Sequence, residues 1–271
     1  MSARTVVVTG ANTGVGRATA EALAARGDRL VLACRRPARA APVRDAIVAA
    51  GGRVDVVALD LGDLASVRRA AAEVTAIAPR VDVLINNAGV GGARGRTRDG
   101  FELAFGVNHL GHFLWTRLLA PAVVDGGRVV HVVSGSHERV DRVDWDRLRG
   151  PTRSWTGVRE YAVSKLCQLL FHHELARRAP RLSSLAADPG DVASDGWRHV
   201  PWPVRPLLKC GMASPAQGAQ TPVFCASSPA LEGVTGRLYA ARRERAPSPI
   251  ARDAALAREL WARSEAWVSG R

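Results

Sequence analysis

Seven short runs rich in β-branched and other apolar residues recur along the chain: TVVVTG (5–10), RLVLACR (29–35), VDVVALD (54–60), VDVLINNAG (81–89), RVVHVVS (128–134), LSSLAADPG (182–190) and VTGRLYA (234–240). Most are continuously apolar instead of alternating, which is the pattern of strands covered on both faces. Between them lie alanine- and leucine-rich stretches with helical spacing, such as GRATAEALAARG, LASVRRAAAEVTA and YAVSKLCQLLFHHELARRA. Gly27 stands where the first of these would need a C-cap. Strands buried on both faces and joined through helices belong to a parallel sheet with a helical layer on each side. The expectation is a single α/β domain over residues 1–271, a doubly wound parallel sheet of about seven strands.

Length and composition agree with that reading. A chain of 271 residues suits one large α/β sheet, and 47% apolar with 23% charged residues is globular composition. No window approaches 18 uninterrupted apolar residues, so no membrane span is expected. MSARTVVVTG lacks the apolar length and cleavage site of a signal peptide. Cys34, Cys167, Cys210 and Cys225 form no C-x-x-C pair and have no histidine at metal spacing; reduced thiols in a cytoplasmic protein, without a metal site, are expected. The net charge of +13 raises nucleic-acid binding as a function. The arginines are dispersed, however, as RRPAR (35–39), RR (68–69), RR (177–178) and RRER (242–245), without a basic stripe interleaved with aromatics, so no nucleic-acid partner is expected. Residues 194–218, rich in Pro, Gly and Trp, show no clear period. They are read as a substrate-loop insertion, either a lid over a pocket or a packed irregular loop.

The first strand runs into TGANTGVG, where Gly10, Gly14 and Gly16 open a helix near Val15. Such a turn lets backbone approach closely, and a helix N-terminus offers unpaired N–H groups and partial positive charge to a pyrophosphate. The spacing is G-x-x-x-G-x-G, not G-x-G-x-x-G, but its place after the first strand of a βαβ series makes a Rossmann-type dinucleotide site. Asn12, Thr13 and Val15 complete the loop. The second strand ends in Cys34-Arg35-Arg36 with no carboxylate to accept a ribose hydroxyl. A guanidinium there suits a 2′-phosphate, which favours NADP(H) over NAD(H); the competing view is that Arg35 and Arg36 are merely solvated. Asp60 and Leu61 end the third strand and either meet an adenine or serve the next helix as a cap.

Ligands in such sheets bind beyond the carboxyl ends of the strands. Those ends carry Asn86-Asn87-Ala88-Gly89, then Ser134, then Pro189-Gly190, with Val192 and Ser194 just beyond. Asn108 lies in the helix FGVNHLGHF, and Tyr161 and Lys165 begin the helix after the fifth strand. Of 38 basic residues only Lys165 and Lys209 are lysines, and Lys165 stands one helical turn from one of only two tyrosines. An unperturbed phenol, with a pKa near about 10, exchanges protons poorly at neutral pH, and a cation one turn away favours its phenolate. The i, i+4 spacing places both groups on one helix face.

Taken in order, Thr9-Gly10-x-x-x-Gly14-x-Gly16, Asn86-Asn87-Ala88-Gly89, Ser134, Tyr161-x-x-x-Lys165 and Pro189-Gly190 resemble the short-chain dehydrogenase/reductase family across essentially the whole chain. GANTGVG, LACRR, NHLGHF, YAVSKL and ELARR are similar to its retinol-dehydrogenase-like subgroup, as is the tail SPIARDAALARELWARSEAWV. The resemblance implies an NADP(H)- or NAD(H)-dependent oxidoreductase interconverting a ketone or aldehyde with an alcohol. Tyr161 would be the general acid/base, Lys165 would lower its pKa and hold the nicotinamide ribose, Ser134 would bind the substrate oxygen, and Asn108 would anchor a relay water. Ser136 is the lesser candidate beside Ser134. Trp197 and Trp202, with Leu207, would line a pocket for a lipophilic, secondary-metabolite-like substrate. Family members commonly pair through the helices bearing Asn108 and Tyr161, which implies a homodimer or homotetramer. Two rivals share the fold: an epimerase or dehydratase, usually longer, and a non-catalytic cofactor sensor, which typically lacks the tyrosine or lysine.

Overall fold

The computed structural model describes residues 3–192 and 212–270. The chain enters the sheet at its middle. Strand β1 (Thr5–Thr9) is flanked by β2 (Arg29–Cys34) and then β3 (Val54–Ala58) on one side. On the other side follow β4 (Val81–Asn86), β5 (Val123–Val132), β6 (Ser183–Asp188) and β7 (Arg237–Ala240). All these pairings are parallel. The chain therefore reverses its direction of travel across the sheet between β1 and β4, which opens a crevice at their carboxyl ends.

The seven expected strands all form. An eighth, β8 (Arg243–Arg245), pairs antiparallel with β7 after a turn in which Ala241 and Arg242 hold φ of 47° and 63°. Its three residues are exposed and polar, so no apolar run announces it. β5 begins five residues earlier than its apolar core suggests, and its register against β4 shifts between Val81 and Val83.

Alternation within β1 explains the two helical layers. Val6 and Val8 face a core shared with α1 (Gly14–Ala24), α2 (Ala41–Ala49) and α6 (Pro215–Ser227). Val7 faces the opposite core, built with α3 (Leu64–Ile77), α4 (Leu103–Leu119), α5 (Val158–Arg178) and α7 (Ala254–Val268). Helix α4 starts as Leu103–Phe105, widens into π-helical turns over Gly106–Gly111 and continues as His112–Leu119. Such π-turns change the side-chain register within a helix and are common at functional sites. Helix α6 begins with a capping box between Ser214 and Gln217, so Pro215 to Gly218, read above as part of an irregular loop, are helical. Residues 194–211 of that segment lie outside the described residues. No helix among the described residues is long and apolar enough to cross a membrane.

Helix α7 lies across α4 and α5. Its Trp261 ring stands 5.1 Å from Phe113 and 5.7 Å from Phe171, Ser264 bonds His109 Nε2 at 2.9 Å, and Glu265 pairs with Arg117. Almost every residue of α4 and of the middle of α5 is buried as a result. The layer beneath holds His109, His112 and His131, each at most 1% exposed. Burial pushes His109 and His131 down to about 3 and His112 to about 4. Above the ordinary value of 6.5 neither the folded nor the unfolded chain charges these rings. Below it the unfolded chain binds protons that the folded chain refuses until about 4 for His112 and about 3 for the other two. Stability is therefore complete above 6.5 and is lost on acidification, by about 1.4 kcal/mol per pH unit for each histidine. Thermal melts should show Tm falling as pH drops from 6.5 toward 4, and His131→Leu should make that decline shallower.

Candidate active site

Thr9, the last residue of β1, organises the crevice. Its Oγ1 accepts the backbone N–H of Asn87 at 2.9 Å and that of Ala88 at 3.0 Å. Both lone pairs are thereby occupied. The hydroxyl proton is left to be donated, and His112 Nε2 at 2.9 Å is a nearer acceptor than Ile85 O at 3.4 Å. Bond counting then places the imidazole hydrogen on Nδ1, which donates to the Asn108 carbonyl at 2.9 Å. Asn87 closes the loop from the other side, its Nδ2 donating to Thr9 O at 2.9 Å. One buried hydroxyl and one neutral imidazole thus tie β1, the β4 end and the π-turn of α4 together.

The glycine loop sits on this frame. Gly10 has φ of +69°, and a Cβ there would lie 2.9 Å from Cα and Cβ of Ala88. A Cβ on Gly16 would strike the Asn87 amide and come 2.5 Å from Gly10 O. Only glycine permits both approaches. Helix α1 then begins with no side-chain capping bond from Thr13 and no acidic residue in its first turn, so the helix presents its positive end. Asn12, Thr13, Gly14 and Val15 remain partly exposed along this groove. These features fit the pyrophosphate of a dinucleotide. Val192 lies at the same groove: it and Val15 both pack where a Cβ on Gly218 would fall, at 2.5 and 3.2 Å.

At the end of β2, Arg35 and Arg36 are exposed and make no ion pair with a described residue. Leu61 is buried, whereas the Asp60 carboxylate accepts the Gly62 N–H at 2.9 Å. The cap of α3 is Asp63, whose Oδ1 accepts from Ala65 and Ser66. Asp60 shapes its own turn instead of capping the helix.

The reacting groups meet beyond β4, β5 and β6. Ser134 lies beside the Tyr161 side chain and favours ionisation of its phenol. Ser136 donates its backbone N–H to Ser134 Oγ at 3.3 Å, but its own buried hydroxyl has no partner, which favours Ser134 of the two serines. The loop after β4 covers this pair: Cβ positions on Gly89 and Gly91 would lie 3.9 Å from Lys165 Nζ and 3.4 Å from the Tyr161 ring. Lys165 Nζ lies 5.5 Å from the Tyr161 ring centroid and donates to Val132 O at 2.9 Å and to Gln168 Oε1 at 2.8 Å.

Burial pushes Tyr161 up to about 12, against the effect of Ser134 and with Asp188 and Asp191 adding to the rise. Burial also pulls Lys165 down to about 8, against the attraction of Asp188. The lowering of Tyr161 implied by the Tyr-Lys spacing is not found in this arrangement, where burial of the phenol dominates and only Ser134 acts in the lowering direction. Asn108 is spent structurally: its Oδ1 accepts from Val90 N at 2.8 Å, and its Nδ2 donates to Val90 O at 3.0 Å and Ser164 Oγ at 2.9 Å. Its carbonyl accepts from His112 Nδ1 at 2.9 Å.

Pro189 and Gly190 follow β6, with Gly190 at φ of +73° and its N–H bonded to Asp188 Oδ1. Ser194, Trp197, Trp202 and Leu207 lie outside the described residues. Sequence reasoning overlooked His112, Gln168, Asp188 and Arg245. Thr9 was read only as part of a motif. The available signals were the second histidine of NHLGHF, the amide one turn after Lys165, and the acid before Pro189-Gly190. Among the described residues no cluster of three metal-ligating side chains occurs.

The Thr9 hub has a measurable consequence. Thr9→Val preserves shape but strands the Ala88 N–H, at about 1–3 kcal/mol, and leaves the Asn87 N–H only its bond to Ile85 O at 3.1 Å. Chemical denaturation should show that loss, whereas Thr9→Ser should restore most of it.

Comparison with known proteins agrees with this geometry. Residues 4–141 match the family described as short chain dehydrogenase. Human dehydrogenase/reductase SDR family member 13 is 43% identical over 97% of this chain and 72% of its own length. Mouse retinol dehydrogenase 14 is 39% identical over 99% and 86%. A crystal structure of an uncharacterised protein from Mycobacterium paratuberculosis superposes with a TM-score of 0.80 at 35% identity, covering 98% of this chain and 93% of that one. With a glycine loop, a Ser134–Tyr161–Lys165 cluster and relatives of this closeness, the chain belongs to the short-chain dehydrogenase/reductase family, in its retinol-dehydrogenase-like subgroup, and is an oxidoreductase.

Proposed function

We propose that the protein interconverts a ketone or aldehyde with the corresponding alcohol, using NADP(H) in preference to NAD(H). The observation that carries this reading is Lys165 one turn from Tyr161, its Nζ 5.5 Å from the phenol ring, with both side chains under the Gly89–Gly91 loop and Ser134 beside them. The residues that would hold the dinucleotide are the loop from Gly10 to Gly16, Arg35 and Arg36, Asn87 to Gly89, Lys165, and Pro189 to Val192. The nicotinamide supplies the hydride when bound.

The chain's own residues handle the proton. Ser134 holds the substrate oxygen, and Tyr161 donates a proton to it in reduction or removes one in oxidation. Lys165, anchored by Val132 O and Gln168, keeps its charge beside the phenol and within reach of a ribose hydroxyl.

Arg35 and Arg36 support the 2′-phosphate reading because no described carboxylate claims them and the β2 end carries no acid. The crystal structure of a protein from Beutenbergia cavernae described as a gluconate 5-dehydrogenase by similarity, 27% identical with a TM-score of 0.71, holds NADP at low occupancy. Trp155 is 86% exposed in the turn before α5, and that turn packs its Thr156 carbonyl toward Gly92, next to the loop covering Tyr161. An exposed indole at that rim supports a lipophilic substrate. The family's usual pairing through α4 and α5 is disfavoured by α7, which occupies that face, so a homodimer or homotetramer would assemble through another surface. Three buried free cysteines suit a reducing cytoplasm. An epimerase or dehydratase would need room for a nucleotide sugar, and a sensor would not need Ser134 beside Tyr161.

Fluorescence titration with NADPH and NADH tests the cofactor reading. NADPH should bind more tightly, and Arg35→Ala should weaken NADPH while leaving NADH nearly unchanged. In a carbonyl screen Tyr161→Phe should lower turnover by about 10²–10⁴-fold with little change in cofactor affinity. Equal affinity for both cofactors would overturn the NADP preference, and failure of both to bind would overturn the enzyme reading.

A further inference from the structure

A histidine that the proposed reaction does not use stands beside the serine that it does. His137 lies in the 3-10 turn that follows β5, Gly135–Arg139, and is 1% exposed. Its Nδ1 is 2.8 Å from the Ser134 carbonyl oxygen, which also accepts the His137 backbone N–H at 3.3 Å. On the other side of the ring, Nε2 accepts the backbone N–H of Ser248 at 3.4 Å. A carbonyl only accepts and an amide N–H only donates. Both contacts therefore require the same form of the ring, neutral with its hydrogen on Nδ1.

The ring thus bridges the Ser134 turn and the segment leading from β8 into α7. Arg245 on β8 supports the same connection. Its Nη2 donates to Glu138 Oε1 at 2.6 Å, and its Nη1 lies 3.7 Å from Asp188 Oδ2 at the end of β6.

We propose that His137 is a positioning residue for Ser134, holding the serine hydroxyl where it meets the substrate oxygen. The inference rests on the substrate-binding role given to Ser134 above. Ser134 has extended backbone, with φ of −159° and ψ of 146°, and its Oγ accepts the Ser136 N–H at 3.3 Å. That bond leaves the hydroxyl hydrogen for the substrate oxygen. It lasts only while the peptide units between Ser134 and Ser136 keep the turn, and Gly135 brings no side chain to restrain them. A Cβ there would make only ordinary contacts, 3.5 Å from Asp188 Oδ2 and 3.7 Å from Arg245 Nη1. The restraint comes instead from hydrogen bonds, and His137 supplies two of them to the Ser134 carbonyl. Because the ring is buried, its bond meets little competition from water.

Two NMR measurements on the full chain test the contact without substrate. In protein labelled with [15N]histidine, the His137 ring should carry its hydrogen on Nδ1; any other form would overturn the proposal. The second measurement is amide exchange with water. An Asn side chain places its amide where the imidazole has Nδ1, whereas Gln places it where the imidazole has Nε2. His137→Asn should therefore leave the Ser136 amide protected. His137→Gln and His137→Leu should quicken its exchange by about tenfold or more, with the amides of β1 and β5 unaffected. An unchanged Ser136 amide in all three variants, equal quickening by Asn and Gln, or quickening shared by the sheet amides would overturn the proposal. Should the variants not fold, the tautomer of the unaltered ring decides alone.

In reduction of benzaldehyde with NADPH, His137→Leu should lower kcat/KM by about tenfold, and His137→Asn should restore most of it. NADPH affinity should stay constant in both; an equal loss of NADPH affinity would indicate general damage and overturn the positioning role. Absence of aldehyde reduction by the unaltered protein would count against the oxidoreductase chemistry proposed above, while exchange and tautomer still decide the role of His137.

Discussion

The hydroxyl of Thr9 is the contact on which the rest of the crevice depends. Its two lone pairs receive the N–H groups of Asn87 and Ala88, and its proton goes to His112. Through those three bonds the end of β1, the loop after β4 and the π-turn of α4 hold one geometry. Without them, the close approaches at Gly10 and Gly16 would have no fixed wall to approach. A buried polar hub of this kind is effective because each member is satisfied, and it is costly to disturb for the same reason.

The electrostatics of the site follow from burial first and charge second. Desolvation raises Tyr161 and lowers Lys165, so both lean toward their neutral forms before any neighbour acts. Neighbouring groups then sort the outcome: Ser134 eases ionisation of the phenol, and the Val132 carbonyl and Gln168 hold the ammonium in place. Asp188 and Arg245 lie one layer further out. The buried histidines behind them remain neutral, which keeps the layer between sheet and helices polar without adding positive charge.

The covering of α4 and α5 by α7 changes what the fold offers to a partner. Trp261 packs on both Phe113 and Phe171, which also touch each other, and Arg178 lies 4.8 Å over its ring. A helix from the same chain occupies this face of α4 and α5. The tail that supplies it was noticed in the sequence as a resemblance, but its destination was not, because an amphipathic helix does not encode which apolar face it will meet.

Much of this protein is legible in its residues alone. Continuous apolar runs specify strands buried on both faces, so seven strands and their parallel arrangement follow from local pattern, whereas their order in the sheet does not. The glycines, the Asn-Asn-Ala-Gly turn, Ser134 and the Tyr161–Lys165 spacing are chemically specific enough to mark the site. The exposed strand β8 escaped because three polar residues carry no hydrophobic period. His112, Gln168, Asp188 and Arg245 escaped because each acquires its meaning from a residue distant in sequence: Thr9 for His112, Tyr161 for Asp188, Glu138 and Asp188 for Arg245, and the interior position of the ammonium for Gln168. Local sequence determined the elements and the identity of the reacting groups. Only the tertiary structure decided their protonation, since desolvation and long-range charge depend on what the folded chain places around them.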